Sequence, residues 1–408
     1  MSKLPLHSGH QLWLLDGGKA YFPSLVEAVD ASRWEVRLET YIFDFSASGE
    51  RVAEALERAA QRGVAVFVVM DGIGTTLVPP SWEQRWRQSG VQWRLFSPLG
   101  RLGLLIPGRW RRMHRKLCVV DGVVAFCGGI NILDDYQDPN YGTLESPRFD
   151  FAVRVMGPLV ADVHAATVQF WARLQATRQL RELHFQKAAH TIAAALQASA
   201  HSESGFVDSE FSAGAHAAVR AGLVLRDNLR NRTRIERAYR KAIAGARHEV
   251  LIANAYFLPG AKLRKALVAA AQRGVRVQLL LQGRYEYFMQ YHAARPLYGA
   301  LLEAGVEIHE YQRGFLHAKV AVVDGHWSTV GSSNLDPLSL QLAREANVVV
   351  DNAPFARELQ ERLATAIVLH GQRVEPALYA HRPWGQRFLD QLAYGLTRFL
   401  LFVMGRRY

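Results

Sequence analysis

The sequence predicts an α/β protein built from two similar halves, each a mixed sheet between helices. One long pattern occurs twice, at residues 113–131 and 316–334: H-x-K, four residues, D, six residues, G, a small residue, any residue and N. The segment AQRGV also occurs twice, at 60–64 and 271–275, each time between a predicted helix and a predicted strand. Because the copies lie in separate halves of the chain, they indicate duplication of one α/β unit rather than a short-period solenoid.

The order of predicted elements is the same in both halves. The almost wholly apolar segment at 64–71 is typical of a strand buried on both faces, and the amphipathic helix before it ends at Gly63. Helices are predicted at 22–31, 50–62, 82–89, 235–244, 260–273 and 294–304, and strands at 34–43, 64–71, 91–96, 249–257, 275–281 and 306–311. Residues 158–200 are predicted to be mostly helical.

This organisation predicts four segments. They are a first half at 1–200, a flexible connection at 201–222, a second half at 223–370 and an amphipathic C-terminal tail at 371–408. A chain of 408 residues with 49% hydrophobic content is long enough for two substantial cores.

Each copy of the doubled pattern is predicted to form a β-hairpin. In the first copy Asp121-Gly122 lies between β-branched runs, which is a strong signal for a two-residue turn. His114 and Lys116 are two residues apart on one strand and therefore share a face. Folding about the turn places Gly129 opposite His114, with Asp121 as a turn-former. The second copy predicts the same for His317, Lys319, Asp324 and Ser332.

The two predicted hairpins together offer two imidazoles, two ammonium groups and two amides. That set suits a phosphodiester, because one histidine can attack phosphorus while the other protonates the leaving oxygen. The lysines and asparagines can hold the non-bridging oxygens as negative charge builds. Two lysines beside the histidines would repel a divalent ion, and no carboxylate cluster offsets them, so we predict neither a metal nor a cofactor.

The doubled pattern resembles the signature of the phospholipase D superfamily. Other stretches resemble its branch of bacterial cardiolipin synthases of the B type, namely ETYIFD at 39–44, RDN at 226–228, IANAYFLP at 252–259 and NLDPLSL at 334–340. The resemblance covers most of residues 8–370. It implies a pseudo-twofold phospholipase D-like arrangement of the two α/β/α halves, with the active site at their seam.

The resemblance also implies roles for individual residues. His114 attacks a phosphatidyl phosphorus, His317 protonates the leaving alcohol, and phosphatidylglycerol then attacks the phosphatidyl-histidine to give cardiolipin. In the family a carboxylate downstream of each motif hydrogen-bonds the histidine of its own half, a role that falls on Asp150 and Glu345. Gly129 departs from the usual Ser or Thr, as is common among cardiolipin synthases. The implied catalytic residues are His114, Lys116, Asp121, His317, Lys319 and Asp324, and the implied phosphate-binding residues are Asn131, Ser332 and Asn334.

The charge of the chain leaves several functions open. A net charge of +12 and a pI of about 9.8 imply an anionic partner, either nucleic acid or an anionic bilayer. The arginine-rich, apolar segment at 100–113 suits both. The alternatives to phosphatidyl transfer are a phospholipase D-type hydrolase, a nuclease of the same superfamily and a catalytically inactive membrane scaffold. The apolar tail makes nucleic acid the less favoured partner.

The location of the protein is predicted from its cysteines and its tail. Cys118 and Cys127 are not opposite each other in the predicted hairpin, and two unpaired cysteines suit a reducing compartment. We recognise neither a signal peptide nor a transmembrane run. The tail predicts a helix lying in an anionic membrane interface. Its predicted apolar face comprises Leu389, Leu392, Leu396, Phe399, Leu400 and Val403. We therefore expect a peripheral protein on the cytoplasmic face of the bacterial inner membrane; the sequence predicts no oligomeric state.

Overall fold

The computed structural model describes residues 5–98, 100, 110–182, 184–200, 214–227, 231–284, 288–336 and 343–403. Most of the predicted connection at 201–222 and residues 101–109 of the basic segment lie outside the described residues.

The strands are β1 His7–Asp16, β2 Glu35–Thr40, β3 Ala65–Asp71, β4 Gln92–Phe96, β5 Arg112–Met113, β6 Lys116–Val120, β7 Val124–Gly128, β8 Gln137–Asp138, β9 Gly142–Thr143, β10 Phe151–Met156, β11 His216–Arg226, β12 Glu249–Asn254, β13 Arg276–Gln282, β14 Glu307–Tyr311, β15 Lys319–Val323, β16 Trp327–Gly331, β17 Ala343–Asp351 and β18 Gly371–Arg373. The helices are α1 Gly17–Asp30, α2 Ala47–Gln61, α3 Pro80–Ser89, α4 Leu159–Arg181, α5 Phe185–Ala200, α6 Arg234–Gly245, α7 Ala261–Gln272, α8 Phe288–Ala294, α9 Tyr298–Glu303, α10 Ala353–His370, α11 Pro376–Ala380 and α12 Trp384–Val403.

The chain forms two compact units. The first comprises residues 1–134 and 152–223, and the second comprises residues 135–151 and 224–408. The segment 135–151 therefore belongs to the second unit although it lies in the first half of the sequence. The predicted segment boundaries stay a prediction.

The sheet of the first unit has the strand order β11-β1-β10-β7-β6-β2-β3-β4. Strands β2, β3 and β4 are parallel, and the hairpin β6–β7 lies antiparallel beside β2. Along β3, Val66, Val68 and Met70 belong to a core with helices α1, α2 and α3, whereas Val69 packs with Trp171 of α4. Because successive side chains of a strand point to opposite faces, this sheet is buried on both faces, as the apolar run at 64–71 predicts.

The sheet of the second unit has the order β18-β14-β13-β12-β15-β16-β17. Its parallel strands β12, β13 and β14 and its hairpin β15–β16 repeat the pairing of the first unit. Helix α10 begins at a side-chain cap, where Asn352 accepts the backbone N–H of Phe355 at 3.0 Å. The predicted fold class, α/β with two similar mixed-sheet halves, is confirmed.

Helix α12 at the C-terminal end packs on the second unit through one side. The Asp390 carboxylate is almost fully buried, with Oδ1 2.7 Å from His292 Nδ1 and Oδ2 accepting from Arg382 at 2.8 Å. The opposite side carries large exposed side chains, at Trp384, Phe388, Leu392, Leu396 and Phe399.

Of the predicted apolar face, Leu392, Leu396 and Phe399 lie on the exposed side of α12. Leu389 is half-buried, whereas Trp384 and Phe388 join the exposed stripe, because Asp390 turns the docked side of the helix toward α8. The side chains of Leu400 and Val403 lie outside the described residues. Within the described ranges we find no helix with the length and hydropathy that a membrane span requires.

Candidate active site

Both copies of the doubled pattern fold into hairpins with the same turn. In the first, Asp121 and Gly122 have φ angles of 52° and 67°, and Val123 N donates to Val120 O at 2.9 Å. In the second, Asp324 and Gly325 have φ angles of 51° and 63°. Two consecutive positive φ angles define a type I′ turn, which favours Asp-Gly. The predicted turns are confirmed.

The predicted register of the hairpins is wrong by one residue. A simple fold about Asp121-Gly122 would pair Lys116 with Cys127, whereas the ladder pairs Lys116 with Gly128 and Val120 with Val124. The reason is Val123, an extra residue between the turn and the ladder that acts as a bulge. His326 has the same place in the second hairpin, where Val323 pairs with Trp327. Cys118 and Cys127 are buried and form no disulfide with each other: Cys118 lies opposite Phe126 and Cys127 lies opposite Leu117 in the ladder.

The motif aspartates hold backbone amides. The Asp121 carboxylate accepts the N–H groups of Arg33, Trp34 and Glu35 at 2.8, 2.7 and 2.8 Å, which fixes the start of β2 beside the hairpin turn. The Asp324 carboxylate accepts the N–H groups of Arg247, His248 and Glu249 at 2.9, 2.8 and 2.9 Å at the start of β12.

The electrostatics of Asp324 follow from these contacts. Partial burial acts to raise the pKa of the Asp324 carboxyl, but the three backbone N–H groups outweigh it and lower the pKa below the ordinary value. Both aspartates therefore act as anchors between turn and sheet, in agreement with the predicted turn-forming role.

The backbone around His114 is fixed on both sides. Met113 N donates to Asp71 Oδ2 at 2.8 Å, and the buried Arg115 guanidinium pairs with the buried Glu39 carboxylate. The ring of Tyr41 lies 5.0 Å from the imidazole of His114, centroid to centroid. The half-buried imidazole thus sits between two anchored neighbours.

His317 has a carboxylate partner. Its Nδ1 lies 2.6 Å from Asp150 Oδ2, and Asp150 Oδ1 accepts Phe151 N at 2.8 Å. Such a carboxylate fixes the tautomer and orientation of an imidazole and stabilises its protonated form.

The prediction that Asp150 serves the histidine of its own sequence half is therefore wrong. Asp150 lies in the segment 135–151 of the second unit, where Phe149 pairs with Leu316 through His317 N to Phe149 O at 2.9 Å and Phe149 N to Phe315 O at 2.9 Å. This pairing places Asp150 beside His317.

The motif lysines are buried next to their histidines. Lys116 Nζ donates to the backbone carbonyl of His114 at 2.7 Å, and Lys319 Nζ donates to that of His317. Only 3% of Lys116 and none of Lys319 is exposed. Each hairpin thus holds a buried ammonium group two residues along the chain from its histidine.

The motif asparagines lie three residues beyond the second strand of each hairpin. Asn131 Oδ1 accepts Ile42 N at 3.2 Å, which directs its amide NH₂ away from that backbone contact. Asn334 is 3% exposed, and its Oδ1 has no hydrogen-bond partner among the residues that the structure describes. Their predicted contact with phosphate oxygens stays a prediction.

Ser332 and Glu345 contact each other. The fully buried Ser332 hydroxyl donates to Glu345 Oε2 at 2.5 Å, and Ala346 N donates to Ser332 Oγ at 3.1 Å. The predicted roles of Ser332 on phosphate and of Glu345 on a histidine stay predictions. In the first hairpin Gly129 lacks the hydroxyl that Ser332 supplies in the second.

Three functional contacts were missed at the sequence level. Asp71 and Gln282 end the equivalent strands β3 and β13 and accept the N–H of the residue before each histidine, Met113 at 2.8 Å and Leu316 at 3.0 Å. The Glu39–Arg115 pair was missed as well. The two strand-end acceptors could have been predicted from the sequence. Each comes seven residues after a copy of AQRGV, at the end of an apolar strand.

Together these contacts define a class of site. Each unit presents an imidazole on a β-strand end, held by anchored backbone and accompanied by a buried ammonium group. Nucleophilic imidazole, carboxylate-supported imidazole and buried cations are the groups that displacement at a phosphodiester requires.

Comparison with known proteins agrees with a site for displacement at a phosphodiester. The family profile described as "Cardiolipin synthase, PLD-like domain" matches residues 25–144 and 239–367. Cardiolipin synthase B of Salmonella typhi is 36% identical over 97% of this chain and 90% of that protein, and cardiolipin synthase B of Escherichia coli K12 is 35% identical over 99% and 91%. The crystal structure of phosphatidylserine synthase from Haemophilus influenzae aligns over 99% of this chain and 97% of that one with a TM-score of 0.67 and 13% identity, which shows a shared fold.

The chain therefore belongs to the cardiolipin synthase family of phospholipase D-like proteins. Each of the two ranges that match the family profile contains one histidine hairpin.

Proposed function

We propose that this protein is a phosphatidyltransferase that makes cardiolipin from phosphatidylglycerol or a related phospholipid donor. The observation that carries the proposal is the pair of equivalent histidine hairpins, one of them with a carboxylate on its imidazole. The relatives named cardiolipin synthase B support the lipid substrate, since they match over almost the whole chain.

The reaction proceeds in two displacements at phosphorus. His114 forms a bond from its imidazole nitrogen to phosphorus as the bond to the headgroup oxygen breaks, and His317 gives its proton to the leaving alcohol. The hydroxyl of the second phosphatidylglycerol then loses its proton to His317, its oxygen bonds to phosphorus, and the phosphorus–nitrogen bond breaks. Asp150 supports the positive charge that His317 carries before the first displacement and again after the second.

The remaining groups stabilise charge. Lys116 and Lys319 place buried ammonium groups beside the histidines, where negative charge on the phosphoryl oxygens increases during each displacement. Asn131, Asn334 and Ser332 are the proposed hydrogen-bonding residues for these oxygens.

The protein acts at an anionic membrane surface on the cytoplasmic face of the bacterial inner membrane. Trp384, Phe388, Leu392, Leu396 and Phe399 form one exposed apolar stripe along α12, with exposed fractions from 46% to 82%. Arg387 and Arg398 are also exposed on this helix. An apolar stripe with neighbouring arginines is typical of a helix in the interface of an anionic bilayer.

The proposed reaction is tested by separating it from its alternatives. Purified protein is incubated with phosphatidylglycerol vesicles and, separately, with single-stranded DNA. We expect cardiolipin and glycerol as products and intact DNA. Phosphatidic acid without cardiolipin would indicate a hydrolase, and cleaved DNA with unchanged lipid would indicate a nuclease; either result contradicts the proposal.

The membrane surface is tested with substitutions that keep α12 docked. Phe388→Ser, Leu392→Ser and Leu396→Ser are combined, leaving the contacts of Asp390 in place. We expect reduced sedimentation with anionic vesicles, whereas Leu77→Ser, at a residue 61% exposed in the first unit, should sediment like wild type. High salt should also release part of the wild-type protein. Equal sedimentation of the triple variant and wild type would show that the stripe does not bind the bilayer.

A further inference from the structure

The segment that follows β2 places an aromatic ring on the first histidine motif. The ring of Tyr41 lies 5.0 Å from the imidazole of His114, centroid to centroid, at an interplanar angle of 58°. The Nζ atom of Lys116 lies over the same ring, 5.5 Å from its centroid. These distances are within the ranges of aromatic pairs and of cation–π contacts. Tyr41 therefore contacts both the imidazole and the ammonium group of this motif.

The backbone around Tyr41 is fixed by side-chain hydrogen bonds. Ile42 N donates to Oδ1 of the motif residue Asn131 at 3.2 Å, and Phe43 N donates to Thr75 Oγ1 at 2.7 Å. The Thr75 hydroxyl, which is almost fully buried, donates in turn to the carbonyl of Tyr41 at 3.4 Å. The ring is thus carried on backbone that is bound to the motif and to the loop after β3.

Gly74 allows the loop after β3 to pack directly against Tyr41. A Cβ atom at this position would lie 2.9 Å from Tyr41 Cδ1 and 2.3 Å from Tyr41 O. Both distances are shorter than van der Waals contact, so any side chain here would push the tyrosine away. Close packing of the loop thus restricts where the ring can lie.

The same loop is bound to the residue that precedes the motif histidine. Asp71 ends β3, and its backbone carbonyl accepts Thr75 N at 2.8 Å. Its carboxylate accepts Ile73 N at 2.9 Å through Oδ1 and Met113 N at 2.8 Å through Oδ2. Because one residue fixes both the loop and the start of the motif, the positions of the tyrosine ring and of the histidine are set together.

The second unit has an alanine at the position equivalent to Tyr41. Phe43 and Phe257 each form a bridge to the residue after a motif asparagine, which makes Ala255 the counterpart of Tyr41. A methyl group cannot provide the aromatic face that Tyr41 provides. The ring therefore distinguishes the surroundings of the first motif from those of the second, although the two hairpins share their backbone geometry.

We propose that Tyr41 is a positioning residue for the first displacement, which holds the His114 imidazole and the Lys116 ammonium group in their reactive arrangement. The inference rests on the proposed function. The ring restricts rotation of the imidazole, so that its nitrogen stays directed at phosphorus, and it contacts the ammonium group that also donates to the His114 carbonyl. Tyr41 acts through these two groups and not on the lipid, so its ring contributes to the rate of transfer and not to lipid binding.

The test compares side chains with and without a ring at position 41. Cardiolipin formation is measured in mixed micelles of phosphatidylglycerol and a neutral detergent, and kcat is expressed per folded molecule. Tyr41→Leu should lower kcat by about tenfold or more and leave KM within twofold of wild type. Tyr41→Met, which fills the space with a flexible apolar chain, should behave in the same way. Tyr41→Phe keeps the ring and should recover most of the lost kcat.

A matched control removes a neighbouring ring that packs elsewhere. Phe45 is half-buried in the same segment, and its ring lies 5.9 Å from that of Trp82 and 5.2 Å from that of Trp86 on α3. Phe45→Leu should lower the melting temperature, because these aromatic contacts are lost, and should leave kcat within twofold of wild type. The control thus separates loss of packing in this segment from loss of the ring on the motif.

The possible outcomes separate the role of Tyr41 from the proposed function. A Tyr41→Leu variant with kcat within twofold of wild type, or with a raised KM and unchanged kcat, would overturn the positioning role. A Tyr41→Phe variant as slow as Tyr41→Leu would also overturn it, because the hydroxyl and not the ring would then matter. An equal loss of kcat in Phe45→Leu would assign the effect to general packing. A wild type that forms no cardiolipin would instead contradict the proposed function itself.

Discussion

The two histidine hairpins share their backbone geometry and differ in the charges around them. Both have a type I′ turn, an aspartate that binds three amides, and a lysine on the carbonyl of its histidine. Around the first hairpin, Asp71 and Glu39 are buried carboxylates paired with Arg112 and Arg115. At the equivalent places the second hairpin has the neutral Gln282, Ala253 and Ala318.

The difference in charge indicates that the two equivalent hairpins have different roles. The features common to both hairpins position an imidazole and a cation, which each displacement needs. The features that differ surround the first histidine with buried ion pairs and place neutral residues at the equivalent positions around the second. In the proposed mechanism the first imidazole is the nucleophile and the second exchanges protons with alcohols, so the asymmetry of surroundings matches the asymmetry of roles.

The largest expected effect comes from removing either imidazole. If the two histidines are nucleophile and general acid in one reaction, His114→Ala and His317→Ala should each lower transfer by at least about 10³-fold with unchanged circular dichroism. His326→Gln, at an exposed residue of the second hairpin turn, is the control. A variant of either motif histidine that keeps a tenth of wild-type activity would contradict a shared reaction.

A smaller loss is expected when only the support of an imidazole is removed. Asp150→Asn keeps the size of the side chain but cannot stabilise an imidazolium at His317, so turnover should fall by about a hundredfold or more. Glu145→Gln, an exposed acid in the same segment, should retain wild-type turnover. Full activity of Asp150→Asn would mean that the 2.6 Å contact is only structural.

Much of this arrangement could be predicted from sequence because it is local. The Asp-Gly turns, the alternation of helices and strands, and the pairing of Lys with His two residues away follow from short-range rules. The bulge at Val123 could not be predicted, since it depends on how the ladder resumes after the turn. The partner of Asp150 could not be predicted either, because membership of the segment 135–151 in the second unit is set by long-range packing.

The buried ion pair of the first unit gives a test of stability. Arg115→Ala leaves the 2% exposed Glu39 carboxylate without its partner and should cost about 3–5 kcal/mol of unfolding free energy. The double variant Glu39→Ala, Arg115→Ala copies the alanines of the second unit and should recover part of that loss. Urea unfolding midpoints measure both.

An exposed pair supplies the control for this experiment. Arg58→Ala breaks the surface pair with Asp30 and should cost under about 1 kcal/mol. A double variant of Glu39 and Arg115 as unstable as the sum of its single variants would show that the charge of Glu39 is not the source of the loss.

A smaller loss of stability than at the buried ion pair is expected at the aspartates that both hairpins share. Asp324→Asn keeps an oxygen for His248 and Glu249 but turns an NH₂ group toward Arg247 N, so it should cost about 1–2 kcal/mol. Asp121→Asn should behave alike, because its three amide contacts are equivalent. Both should lower the melting temperature more than the activity per folded molecule.

The pH dependence of stability distinguishes this anchoring role from a catalytic one. The folded pKa of Asp324 is lowered, so its stabilising contribution is fully present above the unfolded pKa and is lost as pH falls through the folded value. The difference in unfolding free energy between wild type and Asp324→Asn should therefore stay constant from pH 7 to about pH 4 and shrink below it. An unchanged melting temperature with a thousandfold loss of activity would instead place Asp324 in the chemistry, and the two hairpins would then share a catalytic carboxylate and not only a turn.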